Sequence, residues 1–233
     1  MKLAIMQPYF LPYIGYWQLM QYADTFVVYD NIEYTKKGWI NRNRYLCNGE
    51  DKYFTLPLRK DSDFLDVDKR YISSDFDRNK LKNQIAAAYG KAPYFKNIFP
   101  VFEKILDNKQ DNLFNYLFDS IREIKDLLGI KTQLVISSTL SVEEGLRGKE
   151  RVQGICKALC ADEYINPIGG VKLYDKQDFA EQGIKLSFLE SDFERICYKQ
   201  FAYPFVPALS ILDTLMFVSL AETKDLLRMY KIQ

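Results

Sequence analysis

Histidine is absent from the 233 residues, and that gap removes a wide range of chemistry. No Ser-His or Cys-His couple, no histidine base and no histidine-ligated metal can be built from this chain. Proton transfer falls to Asp, Glu, Lys, Tyr, Cys or the substrate, or the chemistry is mainly positioning and electrostatics. Cysteine is sparse. Cys47, Cys156, Cys160 and Cys197 form no CxxC pair, and they read as reduced thiols serving as small hydrophobes. A charge excess is also missing: 32 basic against 31 acidic residues leave a net charge of +1, which argues against a dedicated nucleic-acid binder. No uninterrupted apolar run of about 20 residues occurs, and no charged leader precedes one, so a cytoplasmic protein without membrane insertion is expected. Repeats, low-complexity tracts and flexible linkers are lacking as well.

What is present is a large apolar supply. Hydrophobic residues make up 48% and aromatics 15% of the chain, enough for the core of one α/β domain spanning 1–233. "KLAIM" fits a short buried strand, Pro12 fits the first position of a helix, and Tyr13, Ile14, Trp17 and Met20 follow at helical spacing, with Gln18 and Gln21 on the other side. "TFVVY" is a second strand, so the first 30 residues form a right-handed βαβ unit. "WINRNRYLCNGEDKYFTLPL" reads as a hairpin turning at "NGED", with Arg42 and Arg44 on one face and Asn41 and Asn43 on the other. A helical stretch follows to Gly129, with Pro100 placed to open a helix and Phe114, Leu117, Phe118 and Ile121 as a core stripe. The rhythm then returns to strand and helix: "TQLVIS", "KERVQGICKALC", "EYIN", "LYDKQDFAEQG" and "IKLSFL", closed by "ALSILDTLMF" and "AETKDLLRMY" as helices. These elements predict an α/β fold with an open, mostly parallel five-stranded sheet, Rossmann-like, carrying a hairpin and helical cap insertion over about residues 31–130.

Open parallel sheets bind ligands beyond the carboxyl ends of their strands. Gln7 to Tyr9, Asp30 and Asn31, Ser137 and Ser138, Asn166 and Glu190 leave those ends, and the fold would deliver them to one rim. "YTKKGWINRNR" sets Lys37, Arg42 and Arg44 around Trp39 with Asn41 interleaved. Fork-shaped donors suit phosphate, an aromatic face suits a sugar or base, and amides suit hydroxyls; a solvated hairpin face is the plainer reading. Gly169 and Gly170 in "NPIGG" permit close backbone approach, or simply a tight turn. Asp213, on an otherwise apolar helix, needs a partner if buried, as an anchor or as a site carboxylate.

The runs "MQPYFLPYIGYW", "ADTFVVYDNIEYTKKGWINRNR", "INPIGG", "LYDKQDF" and "PFVPALSILDTLMF" together resemble the WbqC-like family of bacterial proteins over nearly the whole chain. The motif positions carried over are Gln7, Pro8, Tyr9, Pro12, Gly15 and Tyr16 in the first run. In the second they are Asp30, Tyr34, Lys37, Trp39, Asn41 and Arg42. Asn166, Gly169, Gly170, Tyr174, Ser210 and Asp213 complete the set. Members of that family lie among genes for O-antigen and other surface polysaccharides, and some are described as glycine or related transferases. The resemblance therefore implies a role in making or modifying an activated sugar. A fainter likeness reaches the nucleotidyltransferases with a histidine-glycine-histidine turn. This chain lacks both histidines, so the likeness extends to the fold and not to nucleotidyl transfer.

The expectation is a transferase acting on a nucleotide-activated sugar or an acyl or aminoacyl donor in surface-polysaccharide biosynthesis. Asp30 and then Asp213 would be the base, and Lys37, Arg42 and Arg44 the phosphate or carboxylate clamp. Tyr9 and Trp39 would stack on the ligand, with Gln7, Asn41 and Asn166 orienting it. No bound metal is required, although magnesium could enter with a nucleotide phosphate. The alternative is a non-catalytic ligand-binding or assembly subunit of the same pathway, and a homo-oligomer or a partner enzyme is compatible with either.

Overall fold

The computed structural model describes residues 1–62 and 64–233. Five parallel strands run through its main sheet: β1 (Lys2–Met6), β2 (Thr25–Val28), β5 (Gln133–Ile136), β6 (Glu163–Pro167) and β7 (Lys185–Ser191). A sixth strand, β8 (Tyr230–Ile232), pairs antiparallel with β7. The order is β5-β2-β1-β6-β7-β8. The parallel five-stranded sheet expected from the sequence is thus present, with one added edge strand. The closing segment read as helix only partly is one: α8 (Leu220–Leu226) stops, and the chain turns back so that Phe188 and Gln233 exchange backbone bonds of 2.9 and 3.0 Å.

Side chains alternate across the sheet as the pleat requires. Ala4, Phe26, Val28, Ile165 and Leu189 face one layer, and Leu3, Ile5, Val27, Tyr164 and Phe188 face the other. The second layer is closed by α5 (Gly148–Ala158) and α6 (Lys176–Ala180) through Val152, Ile155, Cys156 and Phe179. The first layer takes α1 (Ile14–Tyr22), the insertion and α7 (Ile211–Phe217) into one hydrophobic cluster. α1 is buried almost all round, and this corrects the expected polar outer side. Gln18 has no exposed surface, donates to the carbonyls of Leu226 and Met229 at 2.9 and 3.0 Å, and accepts from Ser191 at 2.7 Å. The carbonyls that end α8 need donors, and the wedged helix supplies one.

The insertion holds the antiparallel hairpin β3 (Arg42–Cys47) and β4 (Glu50–Thr55), then α2 (Arg78–Tyr89), α3 (Phe95–Leu106) and α4 (Leu113–Leu128). The turn is tighter than "NGED": Asn48 and Gly49 alone make it, both at positive φ, so Glu50 and Asp51 belong to the strand. Pro100 lies inside α3 rather than opening it. The helix starts earlier because the Tyr94 N–H is bonded to the Met216 carbonyl and Phe95 stacks on Phe99 at 4.7 Å. Pro12 likewise precedes the helix it was expected to open; Tyr13 is the cap residue, and the Pro12 carbonyl accepts from Trp17 and Ile211. Among the described residues no helix is long and apolar enough to cross a membrane.

Candidate functional site

From β1 the chain builds the sheet outward through β2 to β5, then crosses back to place β6 on the other side of β1. That reversal leaves a crevice beyond the carboxyl ends of β1 and β6, where the two crossovers diverge. A cleft of about 790 Å³ lies there. Gln7, leaving β1, and Asn166, at the end of β6, form its floor. The Asn166 amide is almost buried and donates to the Tyr164 hydroxyl at 3.1 Å. Gly169 and Gly170 follow at once, and a Cβ on Gly170 would stand 2.9 Å from Asn166 Nδ2. Glycine there lets the amide lie flat against the turn.

The walls are aromatic. Tyr29 and Tyr174 stand on one side, Tyr174 packing edge-on against Tyr164 at 5.7 Å. Tyr9, Tyr13 and Trp39 stand on the other. Tyr13, which the helical spacing groups with Trp17 and Met20, is only half-buried where those two are fully buried; its ring folds back over Gly15, where any Cβ would collide with it at 2.5 Å. Burial pushes the Tyr9 hydroxyl up to about 12, with Tyr13 adding to the shift. A second, more apolar pocket of about 360 Å³ shares Tyr9, Tyr13 and Trp39 with the cleft and is completed by Arg44, Phe193 and Ala208. Trp39, 39% exposed, lies between the two spaces with the Arg44 guanidinium 5.6 Å over its ring. Charge enters at the mouth through Glu33, Asp66 and Arg147. Burial, with Asp68 next, raises the Asp66 carboxyl above its usual range. Among the described residues no three His, Cys, Asp or Glu side chains gather as a metal site.

Of the residues singled out in the sequence, Gln7, Tyr9, Trp39, Asn166, Gly169 and Gly170 come together here. Arg44 reaches only the second pocket, tied to Asp51 at 3.1 Å and to the Ala208 carbonyl at 3.1 Å. Arg42 is turned onto its own loop, donating to the Gly38 carbonyl at 3.0 Å and to that of Lys37. Lys37 is exposed, outside the cleft lining, and held at φ 62. Asn41 closes the base of the hairpin, accepting from Tyr34 and donating to the Leu56 carbonyl, both at 2.7 Å. Asp30 is buried one position from the wall residues Tyr29 and Asn31. It accepts from Ser137 Oγ at 2.7 Å and the Ser138 N–H at 2.9 Å, which locks β2 to β5 behind the rim. Asp213 lies away from the cleft, fully buried between α2 and α7. It accepts from Tyr89, Tyr198 and Gln200, and burial pushes its carboxyl up to about 6.

Sequence reasoning passed over Tyr29, Glu33, Asp66 and Arg147. The last two lie in segments without strand or helix periodicity, so nothing marked their direction. The one available signal was the spacing of Arg147 and Arg151, four apart at the start of a helix.

The WbqC-like protein family matches residues 7–225 of the chain. The uncharacterized protein Rv1507c of Mycobacterium tuberculosis is 31% identical over 229 residues, covering 97% of each chain. No solved structure matches.

Proposed function

The chain belongs to the WbqC-like protein family, and from that premise we propose that it is a transferase in bacterial surface-polysaccharide synthesis. Its donor or acceptor is a nucleotide-activated sugar, or an acyl or aminoacyl donor that modifies one. The observation that carries this reading is the cleft at the β1/β6 reversal, with amides on its floor, rings on its walls and glycines beside the floor. Aromatic faces suit a base or the apolar face of a sugar, amides suit hydroxyls, and a largely pre-formed cleft of this size suits a small ligand. Tyr9 and Trp39 stack on the ligand, Gln7 and Asn166 orient it, and Gly169 and Gly170 admit it close to the backbone. The second pocket, sharing three rings with the cleft, holds the apolar part of the other reactant.

In the transfer itself the acceptor oxygen or nitrogen forms a bond to the transferred carbon. The carrier leaves with the electron pair of the broken bond. The acceptor proton passes to a rim carboxylate. Asp66 is the better placed for that last role, because it lines the cleft whereas Asp30 and Asp213 do not. Asp30 acts as a positioning residue that fixes the rim through Ser137 and Ser138.

Calorimetric titration with uridine- and thymidine-diphosphate sugars tests the binding. Micromolar to millimolar affinity is expected, weakened about tenfold or more in Trp39→Ala and Asn166→Ala. No heat with any nucleotide sugar or activated acyl donor would overturn the reading. Mass spectrometry of donor–acceptor mixtures then tests transfer. That Asp30 and Asp213 already accept from internal donors favours a second reading, a ligand-binding or assembly subunit. Tight binding without product would select it.

A further inference from the structure

α5 begins on the wall of the cleft, with Arg147, Gly148 and Val152 all facing that space. Arg147 occupies the cap position and no side chain caps the helix, so its first-turn N–H groups have no intrahelical acceptor. The first helical bond runs from the Arg151 N–H to the Arg147 carbonyl at 3.3 Å. Gly148 sits at φ +49 with nothing within 4 Å of where a side chain would begin, so the backbone is open to approach. Glu150, the acid of this turn, lines a separate groove with Gln153, Gly154 and Lys157.

Arg151 is an independent observation. It is 8% exposed, its Nε is buried without an acceptor, and among the described residues no carboxylate is within ion-pair distance. Its guanidinium lies 6.0 Å over the ring of Tyr29, a wall of the cleft, and its charge, with that of Arg147, acts on the Tyr29 hydroxyl. A buried guanidinium without a counter-charge is strongly unfavourable. Among the described residues no carboxylate pairs with it, and the open space beyond Tyr29 is the cleft, whose own carboxylates, Glu33 and Asp66, stand at the mouth. Arg147 is also without an ion pair among the described residues; Asp66 feels its charge without bonding it. Meanwhile the hairpin arginines are committed to carbonyls and to Asp51.

We propose that Arg147, the first-turn N–H groups of α5 and Arg151 form an anion subsite, which takes the phosphate or diphosphate of the ligand. The proposal rests on the cleft being the ligand site. Arg147 on the cleft wall at the helix start, with Arg151 behind the Tyr29 ring, suits an oxyanion with oxygens in several directions. The phosphate can belong to a nucleoside diphosphate or to a phosphate-bearing acyl carrier.

Titrating the whole protein at low and high salt with inorganic pyrophosphate, uridine diphosphate, uridine and coenzyme A separates these. Pyrophosphate should bind, and binding should weaken with salt. Uridine diphosphate should bind more tightly than uridine. Arg147→Ala and Arg151→Met should each weaken pyrophosphate and uridine diphosphate by about tenfold or more. Arg147 is exposed, so its variant reports even if the buried substitution fails to fold. A preference for coenzyme A over uridine diphosphate, lost in Arg147→Ala, also upholds the subsite and names the acyl carrier as its source. The subsite is overturned if the wild type ignores pyrophosphate, or if Arg147→Ala binds it unchanged. If a nucleotide sugar still binds wild type and Arg147→Ala alike, the subsite fails while the functional reading stands. If pyrophosphate binding depends on Arg147 but no nucleotide sugar or acyl carrier improves on it, the subsite stands and that reading fails.

Discussion

Asp213, Tyr89, Tyr198 and Gln200 meet behind α7, while Gln7, Tyr9, Asn166 and Tyr174 meet in the cleft. Both groups combine phenols with an amide or acid, yet they differ in what is left over. Behind α7 the capacity is used. One Asp213 oxygen accepts from Tyr198 at 2.8 Å and Gln200 at 2.6 Å, and the other from Tyr89 at 2.9 Å. Tyr89 in turn accepts from the Leu46 N–H, and Gln200 exchanges two bonds with Val206. In the cleft, the Gln7 amide only accepts from Tyr9, at 3.3 Å, and its NH₂ donates to nothing among the described residues. A saturated buried network fixes the fold, whereas spare donors on an aromatic wall remain available to a ligand.

Removing the centre of the saturated group should have the largest effect. Asp213→Ala strands three donors in the interior and should cost about 3–5 kcal/mol in denaturant titration; Gln7→Ala should cost less than about 1 kcal/mol. Equal losses would erase the distinction. Next comes pH. The folded Asp213 carboxyl, at about 6 against 3.8 unfolded, holds its proton longer than the unfolded chain does. Its contribution therefore favours folding at low pH and declines as pH rises from about 4 to about 6, by about 3 kcal/mol in all. Stability curves of Asp213→Asn should lack that decline. A smaller effect is expected at Gly170→Ala. The added methyl displaces the Asn166 amide, and nucleotide-sugar affinity should fall about tenfold with folding stability changed by less than about 1 kcal/mol. Smallest is Trp39→Phe, which should weaken binding only a few-fold. Trp17 is fully buried, with its indole N–H on the Pro12 carbonyl, so a ligand-induced change in tryptophan fluorescence should come from Trp39 and vanish in this variant.

The strands were legible because each is a short apolar run beside a turn or cap, and a parallel sheet then fixes which ends form a rim. That reasoning reaches Gln7, Asn166, Gly169 and Gly170 without coordinates. It does not reach β8, because "YKI" continues a helical pattern and becomes a strand only when β7 offers an edge. Nor does it tell whether a polar residue is spent. Asn41, Arg42 and Arg44 look like ligand donors in a string, and the hairpin's own carbonyls claim much of their capacity once the loop closes. Arg147 and Arg151 look like a solvated helix start, and only the packing of α5 against Tyr29 shows one of them buried.

The pairing of Lys2 with Glu163 has a consequence for the order of folding. β1 finds β2 after a short crossover, but its other edge waits for a partner about 160 residues away, the slow kind of closure. The crevice between β1 and β6 exists only once that contact is made. A ligand held there should therefore slow unfolding and leave the refolding rate nearly unchanged in stopped-flow chevrons. Binding would then act as a latch on this long-range seam.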